Sequence, residues 1–352
     1  MSIYDREYIR VGPRSKSGLG SLRFISFNSW IIIINVAVFL LDAITAGQSM
    51  PVLVHQDILG SPSGKSVLVG PMVNRAGQQL PPKGMPPNTE ANQVVLDGAT
   101  GQQLEVNTFV YMTPPQAYGH LSTWYGINRL EIWRYITFQF LHANLSHIFF
   151  NMFGLWVFGG MVEQYLGSKR YVAFYLTCGV FGAVSYMLLS LLGLSLHHRI
   201  PGLLSDDIHT PLVGASAGVF GVIIACAYIA PNAIVQLIFP PIPLKLKWFA
   251  YGYVAVALGN LLWGGRNAGG DAAHIGGAIA GFFFIRNAHL LRDFFDVFGN
   301  SRGKRPAVGI AGTIDTDAAE VDRILGKVAR DGLASLSEPE RRTLRRASGR
   351  RG

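Results

Sequence analysis

Residues 214–230 read GASAGVFGVIIACAYIA, and residues 273–284 read AHIGGAIAGFFF. Each apolar run opens on a residue that belongs in water, Ser216 in the first and His274 in the second. A nucleophilic or ionisable group at bilayer depth is costly and by default marks a functional site. A serine and a histidine on two different helices are the minimal parts of a hydrolytic pair. Whether the two can meet depends on topology, depth and packing.

Composition supplies the setting. Of 352 residues, 49% are hydrophobic and only 14% are charged, and mean hydropathy is positive. Such a chain reads as a polytopic membrane protein within the lipid bilayer, not as an ordinary soluble domain. The net charge of +9 is no nucleic-acid footprint, because the basic residues gather in the head, the short loops and the tail. No cleavable secretory signal is evident in the polar, basic head. Cys178 and Cys226 both lie in apolar runs and read as packing groups, not as a disulfide.

A hydrocarbon core of about 30 Å takes about 20 helical residues to cross. Six stretches qualify or nearly so: roughly 28–46, 144–166, 171–194, 213–230, 247–264 and 272–289. The fold class predicted is an all-α, six-span membrane bundle. An even number of spans puts both termini on one side. Arg6, Arg10, Arg14, Lys16 and Arg23 in the head, Lys169 and Arg170, Lys245 and Lys247, and the arginine-rich tail then share one face. That face is expected to be cytoplasmic. The organisation predicted is a basic head over 1–27, a membrane domain over 28–290, a linker over 291–315 and a cytoplasmic helical hairpin over 316–348. A long external insertion, 47–130, interrupts the membrane domain. It is rich in Gly and Pro, and QVVLDGATGQQLEV (93–106) suggests a hairpin around Asp97 and Gly98. In the C-terminal hairpin, Val321, Ile324, Leu325 and Val328 repeat at helical spacing, Gly332 is a stop, and Ser337 with Glu340 forms a capping box. Arg341, Arg342, Arg345 and Arg346 form either an anionic-lipid contact or a solvated basic face.

Depth can be counted from the inner surface. The helix from Ser216 to Ala230 rises about 22 Å, so Ser216 is recessed roughly 8 Å below the outer surface. His274 to Arg286 rises about 19 Å, and His147 to Glu163 about 25 Å. His147, Asn151, Ser216 and His274, from three spans, therefore converge on one level. Lateral approach is provided by small residues. Gly214, Ala215, Ala217, Gly218 and Gly221 open one span, and Gly277 with Gly281 forms a small-xxx-small face below His274 on the other. Asp271, one turn before His274, either caps its helix or orients the imidazole.

Taken together, GASAGVFG, AHIGGAIAG and HANLSHIFFNM (142–152) resemble the rhomboid intramembrane serine proteases. The Trp133–Arg134 pair and the Pro-rich stretch PNAIVQLIFPPIPLKLKW (231–248) are also similar to that family, and the C-terminal hairpin is similar to an appendage of some bacterial rhomboids. The resemblance covers about 28–46 and 130–290. It implies a rhomboid-like bundle in a bacterial inner membrane, with other transmembrane proteins as substrates and neither metal nor cofactor. It assigns Ser216 as nucleophile and His274 as general base. His147, Asn151 and the Ser216 N–H would be oxyanion donors, with His142 as a supporting polar group. Phe220, one turn below Ser216, could stack on His274 or simply pack. Two departures stand out: Ala217 replaces the usual glycine after the nucleophile, and the external loop is long. Oligomeric state is left open.

Three rivals fit parts of the pattern. Residues 214–218 formally match the G-x-S-x-G elbow of soluble hydrolases, but that elbow needs a preceding strand and a soluble sheet. A catalytically inactive, client-binding rhomboid-like protein would typically lack the serine or the histidine. A transporter would carry acidic residues deep in the bundle, whereas Asp42 and Glu163 sit near span ends.

Overall fold

The computed structural model describes residues 25–63, 66–196, 204, 208–237, 241–263, 267–291, 314–331 and 335–349. It divides into two compact units at residue 295. The first unit holds α1 (Phe27–Ile44), β1 (Met50–Ile58), β2 (Val67–Val69), β3 (Glu90–Asp97), β4 (Gln103–Met112), α2 (Pro114–Gly119) and α3 (Arg134–Thr137). A long helix, α4 (Leu145–Leu166), follows. Then come α5 (Ser168–Ser195), α6 (Ser216–Ile229), β5 (Ile234–Gln236), β6 (Pro243–Lys245), α7 (Leu246–Leu262) and α8 (Ala268–Arg286). The second unit holds α9 (Ile314–Asp331) and α10 (Glu338–Gly349).

Among the described residues four helices, α1, α4, α5 and α8, are long and apolar enough to cross a membrane, and the chain is a multi-pass membrane protein. The other two expected spans are shorter: α6 has 14 residues and α7 has 17. α6 is apolar on every side and is buried along most of its length, as suits a helix enclosed by other helices.

The expectation of an all-α fold is corrected by the insertion between α1 and α2. Residues 50–112 form a four-stranded antiparallel sheet in the order β1-β4-β3-β2. Val52, Met112 and Ala117 make a small core beneath it. The chain reverses over 98–102, where the Asp97 carboxylate accepts the N–H groups of Ala99 and Thr100 and both the N–H and hydroxyl of Ser63. The sheet is tied to the membrane helices at the end of α1, where Asp42 accepts from the Thr113 hydroxyl and from the Gln116 amide.

Arg134 organises the segment between sheet and α4. It is 3% exposed and donates to the carbonyls of Ala117 (3.1 Å) and His120 (2.6 Å) and to Glu131 (2.6 Å). Its guanidinium lies 4.0 Å over the Tyr125 ring. Trp133 donates its ring N–H to the Tyr118 carbonyl. His120 is fully buried beside this cluster. Burial pushes its pKa down to about 4; the Gln116 carbonyl opposes the shift and the Arg134 charge assists it.

At the other end of the bundle, Glu163 stands in for a missing helical turn. Its carboxylate accepts the Phe27 N–H (2.9 Å), the Asn28 N–H (3.0 Å) and the Ser168 hydroxyl (2.7 Å). Two orphan donors at the start of α1 are thus satisfied. Asn28 in turn donates to the Leu155 carbonyl, in a π-type turn of α4 at Leu155–Gly159, where the normal helical ladder is interrupted. The Tyr171 hydroxyl donates to Asn28 Oδ1.

In the second unit, the Ser337 N–H and hydroxyl donate to Glu340, which also pairs with Arg323 and Lys327. Ile324 and Leu336 are buried there. The basic head through residue 24, the linker over 292–313, Gly332, and the side chains of Arg345 and Arg346 lie outside the described residues.

Two predictions follow from these contacts. Glu163→Ala strands the Phe27 and Asn28 N–H groups, so it should lower stability by roughly 2 kcal/mol, measured by reversible unfolding in mixed micelles. Unfolded His120 titrates near 6.5, above its folded value of about 4. Its contribution is therefore complete above pH 6.5 and lost as pH falls toward 4. Hydrogen-exchange protection over residues 113–128 should drop across that window in the wild type and drop less in His120→Gln.

Candidate active site

The site is built at the start of α6. Gly214 adopts φ +134, a conformation that side chains rarely accept. A Cβ there would fall 2.7 Å from the His147 ring. The Gly214 N–H donates to the Phe138 carbonyl, and the chain then enters the helix at Ser216. The Ser216 hydroxyl lies 2.8 Å from Nε2 of His274 on α8. The other ring nitrogen, Nδ1, lies 3.3 Å from Asp271 Oδ1. The Phe220 ring stacks on His274 with centroids 4.2 Å apart and planes 9° from parallel. Tyr253 of α7 stacks on the other face of Phe220 at 4.3 Å. Phe220 is the group that the sequence left between stacking and packing, and it stacks. Tyr253 was missed, because one more aromatic in an apolar helix carries no signal of its partner.

Close helix packing brings the two side chains together. A Cβ on Gly277 would lie 2.1 Å from the Ala217 carbonyl oxygen, and one on Gly281 would lie 2.5 Å from Gly221 Cα. α6 and α8 therefore touch backbone to backbone. Ala217 presents its carbonyl to this contact. Its methyl faces α5, where a Cβ on Gly182 would lie 2.5 Å from it. The Ala217 methyl therefore stays out of the contact between α6 and α8, and Gly182 makes room for it on α5.

His147 and Asn151 sit in the first turns of α4. Asn144 caps that helix by accepting the His147 N–H at 2.9 Å. Asn151 donates one amide proton to the His147 carbonyl at 3.0 Å. His147, Asn151, Ser216 and His274 line one cavity of about 540 Å³, together with Phe150, Tyr253 and the segment 210–214. His142 is buried behind His147, their rings edge to face at 5.1 Å, and is not among the cavity residues. Trp133 and Arg134 are also outside the lining and act on the loop instead. Among the described residues no group of three His, Cys, Asp or Glu side chains could hold a metal ion. Cys178 and Cys226 are buried free thiols. Chemically, the arrangement offers a hydroxyl bonded to an imidazole, at the positive end of a helix, in a cavity with further donors.

Residues 129–289 match the Rhomboid domain family, and residues 315–350 match a family of unknown function. Rhomboid protease GluP of Bacillus subtilis is 29% identical over 154 residues, which is 44% of this chain and 25% of the relative. Rhomboid protein 1, mitochondrial, of Saccharomyces cerevisiae is 28% identical over 48% of this chain and 44% of the relative. Rhomboid protease GlpG of Salmonella newport is 46% identical over 44 residues, 12% of this chain and 16% of the relative. The chain thus spans less than half the length of each of these relatives.

The helix contact yields a paired prediction. Gly277→Ala pushes a methyl into the Ala217 backbone, so it should cost about 2 kcal/mol or more of stability and abolish fluorophosphonate labelling of Ser216. Gly252→Ala, on α7 with open space around it, should be neutral or stabilising by up to about 1 kcal/mol.

Proposed function

The chain belongs to the rhomboid family through the domain at residues 129–289, and from that premise we propose that it is an intramembrane serine endopeptidase acting on transmembrane segments of other membrane proteins. The observation that carries this reading is the 2.8 Å contact between the Ser216 hydroxyl and His274 Nε2. In this reading Ser216 attacks a substrate amide carbonyl while its proton passes to His274 Nε2. The tetrahedral oxyanion is met by the Ser216 N–H, the second amide proton of Asn151 and the His147 ring. Collapse breaks the C–N bond, and His274 returns its proton to the leaving amine. Water then repeats the cycle on the acyl-enzyme. His142 supports the His147 ring from behind.

The substrate must expose a backbone carbonyl, so its helix unwinds near the scissile bond, which favours small or helix-breaking residues there. α6 and α7 complete a six-span bundle with the four longer helices, and the shortness of α6 leaves Ser216 recessed from the outer surface. Both termini face the cytoplasm of a bacterial cell, across its inner membrane.

The test is cleavage of a single-span reporter in liposomes. Wild type should cleave it and react with a fluorophosphonate at Ser216. Ser216→Ala and His274→Ala should each lose at least about 10³-fold in kcat/KM. Wild-type-like cleavage by either variant would sink the Ser–His pair. Client binding without cleavage by any form would favour an inactive, client-binding protein.

A further inference from the structure

The His274 imidazole has two nitrogens, and only Nε2 faces Ser216. Nδ1 faces Asp271 Oδ1 at 3.3 Å, one turn earlier on the same helix. Asp271 is 4% exposed. It does not cap the helix: α8 begins at Ala268, Asn267 holds the cap position, and the Asp271 N–H donates to the Asn267 carbonyl. Among the described residues, His274 is the one hydrogen-bond partner of its Oδ1, and Oδ2 is buried with none. A carboxylate kept at this depth with a single partner is expensive and points to a function at that partner.

Neutral imidazole exists as two tautomers, and the hydrogen bond at one nitrogen decides which form is present. The wrong tautomer would offer an N–H to the Ser216 oxygen and could not take its proton. Stacking on Phe220 fixes the plane of the ring. It does not distinguish a ring from the same ring flipped within that plane, nor one tautomer from the other. Asp271 removes both ambiguities, since a carboxylate can only accept.

We propose that Asp271 is a positioning residue for His274: its carboxylate accepts the Nδ1 proton and so leaves the Nε2 lone pair facing the Ser216 hydroxyl. The assignment rests on the protease reading for its catalytic consequence, though not for the tautomer itself. When the Ser216 proton arrives at Nε2, the imidazolium gains a carboxylate beside its new charge. The contact, 3.3 Å at rest, is longer than a charge-assisted bond and shortens as that charge forms.

The experiment compares wild type, Asp271→Asn and Asp271→Glu as full chains in lipid nanodiscs. ¹⁵N spectra of labelled histidine, with His274 identified by its loss in His274→Gln, should show Nδ1 protonated in wild type. Asp271→Asn keeps size and shape, and should shift His274 toward the other tautomer. It should lower kcat roughly 10- to 100-fold with KM unchanged. Asp271→Glu should retain the wild-type tautomer and most of the rate. Nε2-protonated His274 in wild type overturns the assignment, as does an Asp271→Asn variant with wild-type kcat and spectrum. A wild type that shows the expected spectra yet neither cleaves nor labels would uphold the assignment and defeat the protease reading.

Discussion

The contact between α6 and α8 is the constraint on which the cavity depends. Gly277 and Gly281 of one helix meet the backbone at Ala217 and Gly221 of the other with no room for a methyl. In a membrane, helices gain little from excluding lipid, so shape matching over small residues supplies much of their attraction. At ordinary helix separations a short serine side chain and an imidazole on neighbouring helices would fall short of one another. Here they meet at 2.8 Å. The same principle recurs around α6: Gly182 admits the Ala217 methyl, and Gly218 admits the Tyr175 ring. α6 is therefore gripped by glycine contacts on more than one side, which holds its N-terminus, and Ser216 with it, in a defined place.

A complementary rule acts on polar groups inside the bundle: lipid offers them no partner, so side chains supply one another's. Glu163, Asn28, Tyr171 and the Leu155 carbonyl form one such closed set, linking the start of α1 to the π-type turn of α4 and to α5. Gly159 is small for the same reason, since a Cβ there would lie 2.1 Å from the Asn28 side chain. Asp42 does the equivalent at the other end of α1 by fastening it to α2 and hence to the sheet. The sheet is thus joined to the helices by part-buried hydrogen bonds as well as by chain continuity.

What was legible in the sequence tracks the range of the forces involved. Apolar length and glycine spacing are local, and they located the helices of Ser216 and His274 and the small faces between them. The hairpin of β3 and β4 around Asp97 and Gly98 was legible in QVVLDGATGQQLEV, but the rest of the sheet was not, because β1 pairs with β4 across some fifty residues of intervening chain: Met50 is opposite Met112, and Val52 is opposite Val110. The Gly- and Pro-rich stretch between β1 and β3 masked the pairing of β1, whose Pro51 sits on an edge strand where it is tolerated. Side-chain direction was equally hidden. The one-letter pattern marks Ala217 as an extra methyl between two helices, and only the helix rotation reveals that it points at α5. Tyr253 was obscure for a related reason, as its partner Phe220 lies on another helix, whereas Asp271 could be read one turn before His274 as either a cap or an orienting group.

The arrangement around His274 also bears on how a hydroxyl could be deprotonated at this depth. Attack on a carbonyl would create an oxyanion and an imidazolium together, and separated charges are costly where water is scarce. Three fixed features oppose that cost in place. In the proposed reaction the N-terminus of α6 would direct N–H groups at the oxyanion, the Phe220 face would carry electron density toward the imidazolium, and the Asp271 carboxylate would lie on its far side. The first two need not reorganise as charge appears and the third has only to close a 3.3 Å contact, which is what makes preorganised groups more effective than solvent. The stack of His274, Phe220 and Tyr253 spans α8, α6 and α7, so a displacement of any one helix would be felt at the imidazole. The electrostatics of the site and the packing of the bundle are in that sense a single problem, solved by where glycine leaves room for the backbone.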